Sequence, residues 1–149
     1  MPRPNPGFGV DPESFDIVVH IRREQDIATA RQVVKNFAQE NGFSLSDVTK
    51  ATTAVSELAR NIYRYAGTGS VCLRRTTRDR GTPGLEIVAV DRGPGIPDVA
   101  RVLSGGFSTY ERSLGIGLAG VRRLMDEFEI RSEPGAGTLV RAAKYRRGF

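Results

Sequence analysis

The sequence predicts an α+β fold, a two-layer α/β sandwich in which a mixed, mostly antiparallel sheet carries three helices on one face. Three observations lead there. Apolar residues recur with period two in about five segments and with helical spacing in three others. The strands in the middle and at the end of the chain are joined by turn-forming runs short enough for hairpins. The 149 residues are the length of one ordinary domain, and a compact chain of that size buries roughly 70% of the surface it exposes when unfolded.

The elements follow in order. Pro2, Pro4, Pro6 and Pro12, with Gly7 and Gly9, leave the first dozen residues no periodic apolar face, so residues 1–12 read as a flexible tail and 13–149 as a single domain. Phe15 to Arg22 alternates as a half-buried strand does. Ile27, Ala30, Val34, Phe37 and Ala38 share one face of a helix from Asp26 to Asn41, stopped at Gly42. A second helix, capped by the side-chain oxygen of Ser44 or Ser46, runs to about Tyr65 before Gly67 and Gly69 end it. Its stripe is Ala51, Ala54, Val55, Leu58 and Ile62. Strands from Gly69 to Arg78 and from Leu85 to Val90 flank the turn residues 79–84. Asp91 to Pro97 cannot continue a strand, and Pro97 with Asp98 opens a short helical turn to Leu103. After a loop, Gly115 to Gly120 leads into a helix through Phe128, and the strands Glu129 to Glu133 and Thr138 to Ala143 close the chain as a hairpin.

Composition removes several function classes. With one cysteine, Cys72, and one histidine, His20, the chain can form no internal disulfide and lacks the soft ligands of a Cys/His zinc site. Cys72 lies in a strand and reads as a structural thiol; His20 lies on the polar parity of the first strand, toward solvent or a partner. The net charge of +5 is spread over a hairpin and the tail, without interleaved aromatic residues, so nucleic acid is not the expected partner. No run approaches the ~18 to 20 apolar residues of a membrane span, and the Pro-rich start lacks the apolar core of a secretory leader. A cytoplasmic protein with no membrane partner is expected.

Three motifs can carry chemistry. Glu57 and Asn61 stand four apart on the second helix, on one face. They are either a solvated pair or a carboxylate that accepts a proton beside an amide oxygen that ligates Mg²⁺. Asp91 opens Asp-Arg-Gly-Pro-Gly at a strand end, either as a turn cap or as an acceptor for the exocyclic amine of adenine. Gly115, Gly117 and Gly120 precede or open a helix whose N-terminal amides can bind anionic oxygens. The context fits neither a dinucleotide fingerprint, since no strand precedes these glycines, nor a Walker loop, since Gly-Lys-Ser/Thr is missing.

The order of these pieces, Glu-x-x-x-Asn, Asp-x-Gly-x-Gly, a loop, a Gly-x-Gly helix start and Gly137-Thr138, resembles the GHKL superfamily of ATP-binding domains, the Bergerat fold. The resemblance spans about Phe15 to Lys144. Within it, Ser56-Glu57-Leu58-Ala59-Arg60-Asn61-Ile62-Tyr63, residues 91–98, Gly106-Phe107-Ser108-Thr109 and Leu124 to Phe128 are most similar to the RsbT-like switch serine/threonine kinases of stressosomes. The RsbW and SpoIIAB anti-sigma factor kinases come next. The resemblance implies ATP and Mg²⁺ as cofactors, Glu57 as general base, Asn61 as Mg²⁺ ligand and Asp91 as acceptor of the adenine amine. It implies further that Gly93 and Gly95 shape the adenine pocket, and that Gly115, Ile116, Gly117 and Leu118 hold the phosphates. By the same resemblance Thr138 would support the adenine side, and Ser108 and Thr109 would begin a lid in which Arg112 contacts phosphate. Tyr110-Glu111-Arg112-Ser113 departs from the more glycine-rich RsbT-like lid and resembles the anti-sigma kinases.

The activity implied is Mg-ATP-dependent phosphorylation of a serine or threonine on a STAS-domain anti-sigma-factor antagonist or stressosome protein. A sigma factor or a PP2C-type phosphatase is a further candidate partner. The alternative function is an ATP-binding anti-sigma factor that sequesters a sigma factor.

Overall fold

The structure, a computed structural model, describes residues 6–104 and 116–146. Strands β1 (Ile17–Ile21), β2 (Gly69–Arg78), β3 (Thr82–Asp91), β4 (Glu127–Glu133) and β5 (Gly137–Tyr145) form one sheet in the order β1-β2-β3-β5-β4. Helices α1 (Gln25–Glu40), α2 (Leu45–Asn61), the short α3 (Val99–Leu103) and α4 (Gly117–Leu124) complete the fold, with a π-helical turn, Ile62–Ala66, continuing α2. Ser44 caps α2, its Oγ accepting from the Asp47 N–H at 3.1 Å.

Every strand pairing is antiparallel, a more uniform sheet than the mixed one expected. The reason lies in the connections. Two helices in succession between β1 and β2 turn the chain twice, so β2 returns antiparallel, whereas a single crossover helix would deliver a parallel neighbour. Between β3 and β4 the chain does arrive parallel, but β5 inserts between them. One face of the sheet, with Ile21, Leu73 and Ile87, packs against Val34 of α1, Leu58 of α2 and Val121 of α4. Full burial of such a side chain contributes about 1.5 to 3 kcal/mol.

On the opposite face, residues 7–12, expected as part of a flexible tail, lie against the sheet. Cys72, Val88, Val90 and Leu139 form a second apolar cluster there, covered by Phe8, Val10, Phe15 and Val18. Gly7 and Pro12 are buried, Arg131 lies over the Phe8 ring at 5.2 Å, and Arg74 over Phe15 at 4.3 Å. Three apolar side chains at irregular spacing make no periodic element, yet they suffice as a strap over a preformed apolar surface. Beyond the strap, buried Glu86 takes both Arg74 and Arg141, so these arginines belong to an ion-paired sheet face rather than a solvated one.

Two boundaries also shift. The helix expected to reach Phe128 stops at Leu124. There the Asp126 N–H donates to the Ala143 carbonyl at 2.9 Å, Asp126 Oδ2 accepts from the Tyr145 N–H at 2.8 Å, and buried Lys144 donates to the Leu124 carbonyl at 2.9 Å. Sheet pairing and a lysine cap outweigh the helical spacing of Leu124 and Phe128. The second hairpin strand starts at Thr82 rather than Leu85, because Asp79, Arg80 and Gly81, all at positive φ, complete the turn alone.

Candidate nucleotide site

Register builds the site. Ile21, Gly69, Asp91, Thr138 and Ser132 are successive partners across all five strands, one row at the end of the sheet. Gly69 leaves the space that Ile62 fills, since a Cβ there would lie 2.6 Å from Ile62 Cγ2. Gly137, at φ +128°, lets the β4–β5 turn press against β3: a Cβ would stand 2.1 Å from the Asp91 carbonyl oxygen. Above the row a cavity of about 440 Å³ opens between α2 with its π-helical turn, residues 94–98, α3 and the start of α4. That volume suits a nucleotide-sized ligand.

Glu57, Asn61, Asp91, Gly95, Gly117, Leu118 and Thr138 all line this cavity. Gly93 acts from behind it: its N–H donates to Asp91 Oδ1 at 2.8 Å, and a Cβ would fall 2.6 Å from that of Ala66. Ile116 is described but exposed, its side chain against Gly120 rather than in the cavity wall. Ser108, Thr109, Arg112 and Gly115 lie outside the described residues.

The electrostatics single out two carboxyls. Glu57 is only 2% exposed, with Oε1 3.2 Å from Arg60 Nη1 and with no hydrogen-bond partner for Oε2 among the described residues. Burial pushes its carboxyl up, while Arg60 and the Gly117 N–H at the start of α4 pull the other way. A buried carboxylate with a free acceptor oxygen is equipped to take a proton. Burial also raises the Asp91 carboxyl, opposed by the N–H groups of Gly93 and Thr138. These donors leave Asp91 an acceptor at the cavity floor.

Several lining residues escape the sequence reading. Tyr65 and Ala66 enter through the π-helical turn, and Arg101 and Val102 through α3. Ser132 does not line the cavity but joins its walls: Oγ accepts from the Ile96 N–H at 2.7 Å and lies 2.9 Å from Thr138 Oγ1. A signal for it exists in the sequence, since Ser132 follows Phe128 and Ile130 on the inward parity of β4, where a hydroxyl is out of pattern.

A five-stranded sheet with helices on one face, a carboxylate at the end of β3 and a helix N-terminus opposite it define an ATP-binding domain of the histidine kinase type. Residues 22–144 match the histidine kinase-like ATPase domain, and the chain belongs to that family. More particularly, it is 52% identical over 129 residues to the serine/threonine-protein kinase RsbT of Bacillus subtilis, a match covering 87% of this chain and 96% of that one. It is 34% identical over 130 residues to an anti-sigma F factor of Caldanaerobacter subterraneus, covering 84% and 89%. Among solved structures, the RsbU and RsbW domains of a Mycobacterium tuberculosis protein superpose with a TM-score of 0.59 at 19% identity, over 89% of this chain and 33% of that one. The latter likeness concerns the fold alone.

Proposed function

We propose that this protein, a serine/threonine kinase of partner-switching type, transfers the γ-phosphoryl group of ATP to a serine or threonine of a STAS-domain regulatory partner in the cytoplasm. The observation that carries the reading is Glu57: a buried carboxylate whose Oε2 has no hydrogen-bond partner among the described residues, in the wall of a nucleotide-sized cavity, beside the N-terminus of α4. The catalytic unit is a single domain that includes the N-terminal strap.

Asp91 accepts the adenine amine, and Thr138 stands beside it on the neighbouring strand. The backbone amides at Gly117 and Leu118, with the helix dipole, receive the phosphate oxygens. The donor set also suits Mg²⁺. Asn61 offers a hard amide oxygen one helical turn from Glu57, and among the described residues Glu57 Oε2 has no hydrogen-bond partner and no group of three or more His, Cys, Asp or Glu competes as an all-protein metal cage. Asn61 would hold the ion, which when bound neutralises charge on the phosphates. Glu57 takes the proton of the attacking hydroxyl as the new O–P bond forms and ADP leaves with the electrons of the broken one. Positioning and preorganised charge supply most of the acceleration.

The test is incubation with Mg²⁺, γ-labelled ATP and STAS-domain proteins encoded nearby, followed by phosphoamino-acid analysis. Labelled serine or threonine in the partner supports the reading. The similarity to anti-sigma F factors favours a second reading, an ATP-dependent sequestering factor. A sigma factor retained in an ATP-dependent complex, with no STAS protein labelled, would decide for it.

A further inference from the structure

Ser132 has a role that the catalytic scheme does not use. It ends the row Asp91, Thr138, Ser132 across β3, β5 and β4. Its Oγ meets three polar atoms from three segments: the Ile96 N–H at 2.7 Å, Thr138 Oγ1 at 2.9 Å and the Gly137 carbonyl oxygen at 3.2 Å. The loop it grips is also tied by the Gly135 N–H, which donates to the Pro94 carbonyl at 2.9 Å. Gly95 between them has no room for a side chain, a Cβ falling 2.5 Å from the Glu133 carbonyl oxygen.

The proton inventory constrains what this hydroxyl does. The Ile96 N–H can only donate and the Gly137 carbonyl can only accept. Ser132 therefore accepts from Ile96 and has one proton to give, either to Gly137 or to Thr138. If it gives to Thr138, the threonine proton is released toward the cavity. If it gives to Gly137, Thr138 donates back to Ser132 and shows the cavity only lone pairs.

We propose that Ser132 is a positioning residue for recognition of the purine. It clamps residues 94–97 over the cavity through Ile96 and, by donating to Thr138, presents the threonine proton to a ring nitrogen of the base. The proposal rests on the reading of Asp91 as acceptor for the adenine amine. In adenine a ring nitrogen acceptor adjoins that amine donor, so an acceptor at Asp91 and a donor at Thr138 match the two in register. Guanine reverses both.

The experiment is calorimetric titration of ADP and of 1-deaza-ADP, which lacks that ring nitrogen, into wild type, Ser132→Ala, Ser132→Cys, Ser132→Thr and Thr138→Val. Wild type should prefer ADP by about tenfold, the worth of one well-placed hydrogen bond. Ser132→Ala, which leaves the Thr138 hydroxyl unoriented and residues 94–97 unclamped, should bind ADP about tenfold more weakly and lose much of its preference over the analogue, whereas Thr138→Val, with no proton to give, should lose the preference altogether. Ser132→Thr, which keeps the hydroxyl, should retain the preference. A purely structural role would weaken both ligands equally and leave the ratio intact, which overturns the proposal. Should the alanine variant not fold, the near-isosteric cysteine variant should show the same fall in preference, since a thiol is a poor donor, and an intact ratio there overturns the proposal equally. Wild type that binds no ADP would refute the underlying nucleotide reading instead.

Discussion

Replacing Asp91 by asparagine exchanges one carboxylate oxygen for an amide NH₂ and should invert the nucleotide preference. Asp91 Oδ1 accepts the Gly93 N–H at 2.8 Å. An asparagine must offer its carbonyl oxygen there, because the other rotamer would aim two N–H donors at each other. The amide NH₂ is then turned toward the cavity, where the adenine amine meets a donor instead of an acceptor. Losing one charge-assisted hydrogen bond costs about 1.5 to 3 kcal/mol, or about 10- to 150-fold in Kd. GTP presents a carbonyl at the same place and should gain, so the ATP-to-GTP ratio should fall by more than ATP affinity alone. The unliganded fold should not suffer: burial raises the Asp91 carboxyl above its ordinary value, so the charge that asparagine removes is one that costs the folded state free energy. Calorimetry with both nucleotides, and melting without them, reads all three effects. Unchanged ATP affinity in a folded variant, or equal loss for ATP and GTP, would refute the reasoning.

Glu57→Gln should cut phosphoryl transfer by about 10²- to 10⁴-fold while raising the melting temperature. Since burial raises the Glu57 carboxyl above its unfolded value, the wild type loses stability relative to the variant as pH climbs from the unfolded to the folded pKa. The gap opens across that window and stays constant above it, and a pH series of melts tests this. Lys144→Met should destabilise the fold by about 3 to 5 kcal/mol, because Lys144 Nζ lies 3.4 Å from Asp126 and 3.8 Å from Asp47, all three side chains being largely buried. Denaturant titration showing a loss under about 1 kcal/mol would contradict that mechanism, and Asp47→Leu added to Lys144→Met should recover part of the loss. Deleting residues 1–15 should uncover the outer sheet face and make Cys72, now fully buried, reactive toward a thiol reagent. Reactivity equal to that of the intact chain would show that the strap does not shield the face.

Much of the fold is legible because periodicity is a local property. The strands from Phe15 and Gly69, the stripe Ala51 to Ile62 and the choice of Ser44 or Ser46 as cap are each written in a few consecutive residues, and each recurs in the structure within a few positions, the cap at Ser44. The end of α4 was not legible in that way. Leu124 and Phe128 keep helical spacing, and only β5, arriving from farther along the chain, pulls Asp126 into the sheet. The strap was hidden for the same reason, since its partners Cys72, Val88 and Leu139 make an apolar surface only once three strands lie side by side.

By itself the sequence determined the chemical inventory of the site: an acid and an amide one helical turn apart, an aspartate ending a strand among glycines, and a glycine-rich helix start. Tertiary structure decided what those groups can do. Packing of α2 against α4 buries Glu57 and leaves one of its oxygens without a hydrogen-bond partner among the described residues. Strand register sets Asp91, Thr138 and Ser132 in one row, and a hydroxyl 36 residues from Ile96 holds the loop between them. Burial and register are long-range quantities, set by which segments meet rather than by which residues adjoin, so a local pattern can name the groups but cannot give the carboxyl its raised proton affinity.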